Sequence, residues 1–360
     1  MKKSYKILVV NPGSTSTKIT VFNGKEVLFE ETLNHTTEDL KNYKKIVDQY
    51  NFRKEAILNL LRLNNYDLVE LDAVAGRGGL LKPIPGGTYK VNRDMLSDLK
   101  SAKYGEHASN LGAIISYEIA NSAGIDAYIV DPVVVDELDD LARISGFPEI
   151  TRKSIFHALN QKAIARRVAI DTGKEYEQSN LIIAHLGGGI SVAAHRNGKV
   201  VDVNNALDGD GPFSPERSGG VPFGDLMKIC FSGKYEYPQL KKQFVGQGGL
   251  VAYLGTNDAR VVLGKISKGD KKAKLVYKAM AYQIAKEIAA QSAVLNGKVD
   301  CIALTGGLTK DKLIISWIKE RVSFLAPVKV YPGEDESSAL YDGVVRVLDG
   351  VEKGNVYRSN

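Results

Sequence analysis

Two stretches of the chain, residues 7–25 and 181–199, share one pattern of apolar and polar positions. Each begins with an apolar run, passes through a turn rich in Gly, Ser or Thr, and continues through a second apolar stretch to Asn-Gly-Lys. The two stretches align without a gap. This pattern predicts a strand, a turn and a second strand, and Asn-Gly favours a hairpin turn. We therefore expect the same hairpin unit to occur twice.

Turns built from small residues let backbone N–H groups approach an anion closely, because few side chains stand in the way. Two such turns facing each other would suit a polyphosphate. The alternative is that two hairpins recur by chance, since hairpin signals are common in sheet proteins. The shared register through Asn-Gly-Lys favours two related lobes instead.

The rest of the chain alternates between helical and strand patterns. Helical spacing of apolar residues occurs at 38–63, 105–123, 151–171, 223–231, 257–267, 271–296 and 337–348, and short apolar runs at 71–75, 127–132, 299–304 and 328–331 predict strands. This alternation is typical of α/β folds, which place ligands at the ends of their strands. Residues 204–220 are rich in turn formers and predict a long, functional loop.

Composition narrows the class of protein. The chain has 360 residues, of which 44% are hydrophobic and 25% charged, as in a globular protein of two domains. The net charge of +6 is scattered, so nucleic-acid binding is not implied. No apolar run approaches a membrane span, and the chain enters its first strand directly, so we expect a cytoplasmic protein. Cys230 and Cys301 lie far apart and indicate neither a disulfide nor a zinc site.

Candidate chemistry lies at strand ends and in the irregular loop. Arg77 stands between glycines after a predicted strand, Asp131 ends another strand before Pro132, and Arg217 lies in the loop. A guanidinium group can bind a carboxylate or a phosphate with two hydrogen bonds. A structural ion pair is the alternative for each arginine, and a turn or capping role is the alternative for Asp131.

Four motifs, in the same order along the chain, resemble those of the short-chain carboxylate kinases, the acetokinase family. This family belongs to the superfamily of acetate and sugar kinases, chaperone ATPases and actin. The segment from Asn11 to Lys18 is similar to its phosphate loop, His185 to Gly189 to its H-L-G-x-G turn, Arg217-Ser218-Gly219 to its R-S-G loop, and Leu304 to Gly307 to its adenosine-side glycine turn. The resemblance covers the whole chain.

Within this family the chain departs from the acetate kinases. Residues 73–78 stand where acetate kinases have H-R-V-V-H-G, and residues 151–157 stand where they have F-H-G-T-S-H. Both departures resemble the butyrate kinase branch, as do Pro12 and the segment 146–153. Arg77 matches the position of the final His of H-R-V-V-H-G, not the position of its Arg.

The resemblance implies an α/β fold with two related lobes of the actin-like ATPase (ribonuclease H-like) type around a nucleotide cleft. We expect one lobe to comprise residues 1–150 and 335–360, and the second to comprise residues 151–334 and to close over the nucleotide by a hinge motion. The second lobe would carry the adenosine-side glycine turn. The resemblance also implies a homo-oligomer, at least a dimer, assembled through the second lobe.

The implied reaction is reversible phosphoryl transfer between ATP and butanoate, giving ADP and butanoyl phosphate, with Mg²⁺ present. Isobutanoate and other short acids remain alternatives, because a small apolar pocket discriminates weakly between them. A carboxylic acid is ionised at neutral pH and needs no general base, so cations and N–H groups should stabilise the transferring group. A sugar kinase with Asp131 as its base is one rival, and an actin-like filament or chaperone-type ATPase is another.

The resemblance also implies residue roles. Nucleotide binding falls to Asn11, Ser14, Thr15, Ser16, Lys18, Gly187, Gly188, Gly189, Gly306 and Gly307, catalysis to Arg77, Asp131, His157, His185 and Arg217, and Mg²⁺ to Asp131 with Glu336. Lys18 could instead orient the turn, and His157 could be a packing residue on its helix. Which of Glu334, Asp335 and Glu336 faces the metal stays open.

Overall fold

The computed structural model describes residues 4–208 and 210–359. By its internal contacts the chain divides into unit 1, Met1–Val135 with Asp335–Asn360, and unit 2, Asp136–Glu334. The sequence prediction put the first boundary at residue 150, so residues 136–150 are corrected to unit 2. They contact unit 2 through ion pairs, because Glu137 pairs with Lys162 and Asp139 with Arg196.

Unit 1 contains a seven-stranded sheet, in which the order of strands is β12-β5-β6-β4-β1-β2-β3. The strands are β1 Lys6–Pro12, β2 Ser16–Asn23, β3 Glu26–Asn34, β4 Ala73–Arg77, β5 Thr88–Lys90, β6 Asp126–Val130 and β12 Asn355–Val356. The helices are α1 Thr37–Leu40, α2 Tyr50–Leu63, α3 Arg93–Lys100, α4 Asn110–Ala123 and α13 Glu336–Leu348. Helix α4 packs on β1, β4 and β6, and so does α13. The apolar core of the unit contains residues of these strands and of α4.

Unit 2 contains a five-stranded sheet in the order β11-β10-β7-β8-β9. Its strands are β7 Asn180–Leu186, β8 Ile190–Arg196, β9 Lys199–Val203, β10 Cys301–Gly306 and β11 Val328–Pro332. Its helices are α5 Asp140–Arg143, α6 Ala158–Asp171, α7 Phe223–Cys230, α8 Tyr237–Phe244, α9 Gly249–Leu254, α10 Ala259–Ser267, α11 Lys271–Val294 and α12 Lys312–Val322. Helix α11 buries Met280, Ile284 and Ile288 against the sheet.

The predicted hairpins are confirmed in both units. Strands β1 and β2 pair antiparallel, as do β7 and β8, and a third antiparallel strand follows each hairpin. The first strand of each hairpin has a parallel neighbour on its other side, β4 in unit 1 and β10 in unit 2. The pairing with the third strand slips once in each unit, after Val21 and after Ala194. The repeated sequence pattern therefore corresponds to a repeated sheet topology.

Three predicted helices are shorter than their sequence patterns indicated, and the one predicted at 105–123 begins at Asn110. The pattern at 38–63 divides into α1 and α2, with a 3₁₀ turn at Ile46–Gln49 between them. The helix predicted at 151–171 begins at Ala158, and the backbone of Thr151 and Arg152 instead pairs with that of Ile144 and Arg143. His157 is thereby corrected from a helix-face position to the residue that precedes the first turn of α6. The irregular loop predicted at 204–220 is confirmed in its described part, from which Gly209 is excluded.

Candidate active site

The turn between β1 and β2 presents backbone donors to the surface of unit 1. Ser14 and Thr15 are exposed, and among the described residues their N–H groups have no protein partner. The Gly13 N–H donates to the Ser16 carbonyl at 2.8 Å, and the Thr15 carbonyl accepts from His35 N–H at 2.8 Å. Backbone N–H groups gathered in this way form a concavity that suits an anion.

Arg53 supports this turn from inside the unit. Its side chain is fully buried on α2. The guanidinium donates to the carbonyls of Gly13 at 2.8 Å, Ser14 at 2.9 Å and Ser16 at 2.9 Å. The sequence analysis missed Arg53, although the pattern held one signal: it falls on the buried face of α2, in line with Ile57 and Leu61.

Arg77, Asn11 and Glu336 form one polar group in unit 1. Because β1 and β4 are parallel neighbours, with Val10 opposite Gly76, Asn11 and Arg77 follow side by side. Glu336 Oε2 accepts from Asn11 Nδ2 at 2.7 Å and forms an ion pair with Arg77 Nη1. The structure therefore brings together a predicted nucleotide residue, a predicted catalytic arginine and a predicted metal ligand.

The acidic triplet at residues 334–336 divides into three local roles. Glu336 is the first residue of α13 and holds Arg77. Asp335 caps the same helix, because its carboxylate accepts from the Ser338 N–H at 3.0 Å. Glu334 belongs to unit 2, where its Oε1 lies 3.2 Å from His185 Nε2.

Asp131 follows β6 in a backbone conformation that is unusual outside glycine, with φ of 38°. Its side chain is 1% exposed, and Oδ1 accepts from the Gly87 N–H at 2.6 Å while its own N–H donates to the Gly87 carbonyl at 3.0 Å. Non-glycine residues rarely adopt positive φ, and such strain is frequent at functional sites. The structure thus gives Asp131 a turn-stabilising contact at a strained strand end.

Unit 1 offers a metal ion individual oxygen ligands and not a preformed set of ligands. In residues 4–208 and 210–359 no group of three or more His, Cys, Asp or Glu side chains is arranged to hold a metal ion. Mg²⁺ keeps several of its waters and needs only one or two carboxylates beside the phosphates of a substrate. Asp131 and Glu336 each carry a carboxylate of this chemistry in unit 1, and Glu336 Oε2 already contacts Asn11 and Arg77.

In unit 2 the turn Gly187-Gly188-Gly189 packs against Arg217. The Gly187 N–H donates to the Gly189 carbonyl at 3.1 Å, and the Arg217 guanidinium donates to the Ala206 carbonyl. A Cβ atom at Gly189 would overlap that guanidinium, which would have to move. Burial lowers the pKa of Arg217, although the nearby carboxylates of Glu216 and Asp208 oppose this shift.

Ser214 joins this turn to the loop that carries Arg217. Its side chain is buried, and its hydroxyl donates to the Gly188 carbonyl at 2.6 Å. The same Oγ accepts from the Arg217 N–H at 3.1 Å. The sequence analysis missed Ser214, which held no signal apart from its place in the turn-rich loop.

His157 and His185 are in direct contact. Their rings stack with centroids 3.8 Å apart and planes 10° from parallel. His185 Nδ1 lies 2.8 Å from Asn160 Oδ1, and His157 Nδ1 lies 2.9 Å from Ser191 Oγ. Because the Asn160 oxygen can only accept, His185 carries a proton on Nδ1.

A chain of hydrogen bonds continues from Ser191 into the core of unit 2. Gln161 Nε2 donates to Ser191 Oγ at 2.8 Å, and Gln161 Oε1 lies 3.1 Å from His195 Nε2. The Tyr176 hydroxyl lies 2.9 Å from His195 Nδ1. Burial lowers the pKa of His195 well below its usual value, and Lys162 and Arg166 lower it further. His195 is therefore neutral at pH 7 and fixes the orientation of Gln161.

The turn at Gly306 and Gly307, and Lys18, are the remaining groups predicted to bind the nucleotide, and their surroundings differ. Gly306 ends β10 with φ of 93°, where a Cβ atom would overlap the Leu186 carbonyl, and it exchanges backbone hydrogen bonds with Gly333 at 3.1 and 3.2 Å. Gly307 starts a 3₁₀ turn directly after it. Lys18, in contrast, forms an ion pair with Glu30 across β2 and β3 at 2.9 Å.

Comparisons with known proteins agree with these features. The model of the acetokinase family matches residues 148–325. "Butyrate kinase 2" of Clostridium acetobutylicum is 57% identical over 98% of this chain and 99% of that protein. A "Probable butyrate kinase" of Clostridium botulinum is also 57% identical, over 98% of this chain and all of that protein. The chain belongs to the acetokinase family.

The fold comparison agrees with this assignment. A crystal structure of Porphyromonas gingivalis acetate kinase has a TM-score of 0.80, with 20% identity over 96% of this chain and 100% of that one. The predicted fold class and the family resemblance, with its ATP-dependent kinase activity, are confirmed. In the part of the chain that the structure describes, no helix has the length and apolarity that crossing a membrane requires.

Proposed function

We propose that this chain transfers the γ-phosphoryl group of ATP to butanoate, giving ADP and butanoyl phosphate, and catalyses the reverse reaction. The observation that carries this proposal is the 57% identity, over 98% of the chain, to a protein named butyrate kinase. Membership of a kinase family supports ATP and ADP as the nucleotides. The acid substrate is already an anion at neutral pH, so the site has to bring two anions together.

Unit 1 binds phosphate oxygens through the turn after β1. The N–H groups of Ser14 and Thr15 and the side chains of Asn11 and Ser16 are the donors that support this role. In unit 2 the turn Gly187-Gly188-Gly189 acts in the same way, and Gly306 and Gly307 approach the adenosine. Lys18 orients the first turn through its pairing with Glu30.

Arg77 and Arg217 are the cations of the transfer step. A planar guanidinium matches both a carboxylate and the equatorial oxygens of a phosphoryl group. The charge on these oxygens develops in the transition state, where a well-placed donor contributes about 2.7–4 kcal/mol. His185, oriented by Asn160 and stacked on His157, places its Nε2 atom at the end of β7, beside Glu334.

Mg²⁺ would be held by Asp131 and Glu336, directly or through water. When bound, the ion neutralises phosphate charge during the transfer. The residues of this chain do the rest: Arg77 keeps Glu336 in place through their ion pair, and the Gly87 N–H keeps the Asp131 carboxylate oriented. The acceptor carboxylate attacks the γ-phosphorus in line and needs no proton removed.

The test is acyl phosphate formation, trapped as the hydroxamate, across acetate, propionate, butanoate, isobutanoate and glycerol with MgATP. The strongest signal with butanoate supports the proposal, and the strongest signal with isobutanoate would identify a branched-acid kinase instead. ATP hydrolysis without any hydroxamate would favour a sugar kinase or an actin-like ATPase. The homo-oligomeric state and the cytoplasmic location expected from the sequence stay predictions.

A further inference from the structure

We propose that Arg53 is a positioning residue for the phosphate loop, and that its buried positive charge makes this loop select nucleoside di- and triphosphates over less charged nucleosides. The inference rests on the proposed function of the turn at residues 13–16 in binding phosphate. Arg53 lies behind this turn on α2, and its side chain is 0% exposed.

The first argument is that interior donors hold all four carbonyls of the turn. Arg53 donates to the carbonyls of Gly13, Ser14 and Ser16, and the His35 N–H donates to that of Thr15. A carbonyl that accepts from inside the protein points inward. The N–H groups of Ser14 and Thr15 are then left to face outward, in the polarity an anion requires. Without Arg53, the carbonyls of Gly13 and Ser14 would lose this partner, which is costly, whereas the Ser16 carbonyl would keep the Gly13 N–H.

The second argument concerns charge. Among the described residues no carboxylate forms an ion pair with Arg53, whose remaining acceptors are Gln49 Oε1 and Thr17 Oγ1. Burial lowers the pKa of Arg53, but an arginine ionises so far above neutral pH that the cation persists. A buried cation that acidic residues do not neutralise attracts anions over a longer range than an exposed one, because solvent screens it less.

The neighbouring side chain of His35 adds no second positive charge at this turn. His35 is buried, and burial followed by the charge of Arg53 lowers its pKa. Thr17 Oγ1 accepts from Arg53 Nη1 at 3.2 Å and lies 2.9 Å from His35 Nε2. Because the pKa of His35 lies below its usual value, the ring is neutral at pH 7 and adds no positive charge beside Arg53. Arg53 is thus the cation that backs the phosphate loop.

Ligands of different charge distinguish the proposed role of Arg53 from a merely structural role. Adenosine carries no phosphate, whereas AMP, ADP and ATP carry increasing negative charge. A damaged fold would weaken all four ligands alike. Loss of the Arg53 charge and of the loop shape would weaken ATP most, ADP less, AMP less again, and adenosine least.

The experiment measures the dissociation constants of adenosine, AMP, ADP and ATP by calorimetry with wild type, Arg53→Gln and Arg53→Lys. The matched control is Arg62→Gln, which removes one exposed charge from the same helix. We expect Arg53→Gln to weaken ATP roughly tenfold to hundredfold, as the loss of charged hydrogen bonds predicts, and adenosine less than about twofold. Arg62→Gln should match wild type throughout.

Arg53→Lys keeps the charge but loses the planar fork, so it should fall between wild type and Arg53→Gln in its preference for ATP over adenosine. It also provides the test if Arg53→Gln does not fold. Equal losses for adenosine and ATP in the variants, or a wild-type preference in Arg53→Lys, would overturn the inference. These titrations contain no carboxylic acid, so a wild-type protein that makes no hydroxamate refutes the proposed function and leaves this result standing.

Discussion

The imidazole rings of His157 and His185 lie stacked 3.8 Å apart, although the two residues are 28 positions apart in sequence. His157 precedes α6, and His185 is the penultimate residue of β7. Hydrogen bonds to Ser191 and Asn160 hold the two rings in this orientation. The pair therefore acts as one unit, and a change in either ring should alter the other.

A double-mutant cycle tests this coupling. We expect His157→Gln and His185→Gln each to lower kcat by about a hundredfold, because either change removes one ring of the stacked pair at the proposed transfer site. Residues in contact are not additive, with interaction energies of about 0.5–3 kcal/mol. The double variant should therefore be clearly more active than the product of the two single effects. If the effects multiply, the two rings act independently.

Arg217→Lys keeps a positive charge but loses the bidentate geometry, so kcat/KM for MgATP and butanoate should fall by roughly 10²–10³. The change is measured by the hydroxamate assay together with thermal unfolding, which should stay close to wild type. Arg196→Lys is the matched control in the same unit, because Arg196 pairs with Asp139 and its side chain is 38% exposed. Near wild-type turnover of Arg217→Lys would remove this residue from the transfer step.

Gly189→Ala introduces a Cβ atom where the Arg217 guanidinium lies. The guanidinium must shift, and a displacement of about 1 Å can cost roughly a hundredfold in rate. We expect kcat to fall by that order while circular dichroism remains unchanged. Gly264→Ala, in α10 with nothing within 4 Å of the added atom, is the control and should retain full activity. Equal activity of the two variants would contradict the observed packing.

Asp335 and Glu336 are adjacent carboxylates whose roles should separate on mutation. Asp335→Ala removes the cap of α13 and should lower the free energy of unfolding by about 1 kcal/mol, with activity largely kept. Glu336→Gln breaks the ion pair with Arg77. It should lower kcat strongly and the free energy of unfolding only slightly. Urea unfolding and the hydroxamate assay on both variants measure the difference. The reverse pattern would assign the chemistry to Asp335.

His195 makes stability depend on pH. Its pKa in the folded protein lies well below the ordinary value of 6.5, mainly through burial, so below about pH 6.5 the unfolded chain binds more protons than the folded one. The stabilisation is complete above that pH and is lost as the pH falls toward the folded pKa. His195→Gln should therefore show a smaller drop in Tm between pH 7.5 and 5.5 than wild type. Parallel curves would show that His195 does not titrate on unfolding.

Short-range patterns predicted the hairpins well. The strand period, the small turn residues and Asn-Gly all lie within about twenty residues, and the strands formed where the pattern indicated. The strand ends carrying Arg77 and Asp131 followed from the same reasoning. What the sequence could not give is the pairing between distant segments. Strand β12, for example, is two residues long and exists because it pairs with β5.

In the candidate site, too, contacts between distant segments could not be predicted from the sequence. The sequence shows that Arg53 lies on the apolar face of a helix. The contact of its guanidinium with the carbonyls of residues 13–16 depends on how α2 packs. The bridge between Thr151 and Ile144, which takes Thr151 out of the predicted helix, likewise joins segments that the local pattern does not relate. The three acidic residues 334–336 look alike in sequence and differ only through the helix cap and the unit to which each belongs.

Unit 2 is one continuous segment, whereas unit 1 is made from both ends of the chain. Helix α13 packs on β1, β4 and β6, and β12 extends their sheet. During synthesis, which proceeds from the N-terminus, every residue of unit 2 leaves the ribosome before α13 does. Unit 2 can therefore complete its fold while unit 1 still lacks a core helix. A premature stop codon that removes α13 would therefore leave unit 1 incomplete, although the ribosome synthesises most of unit 1 first.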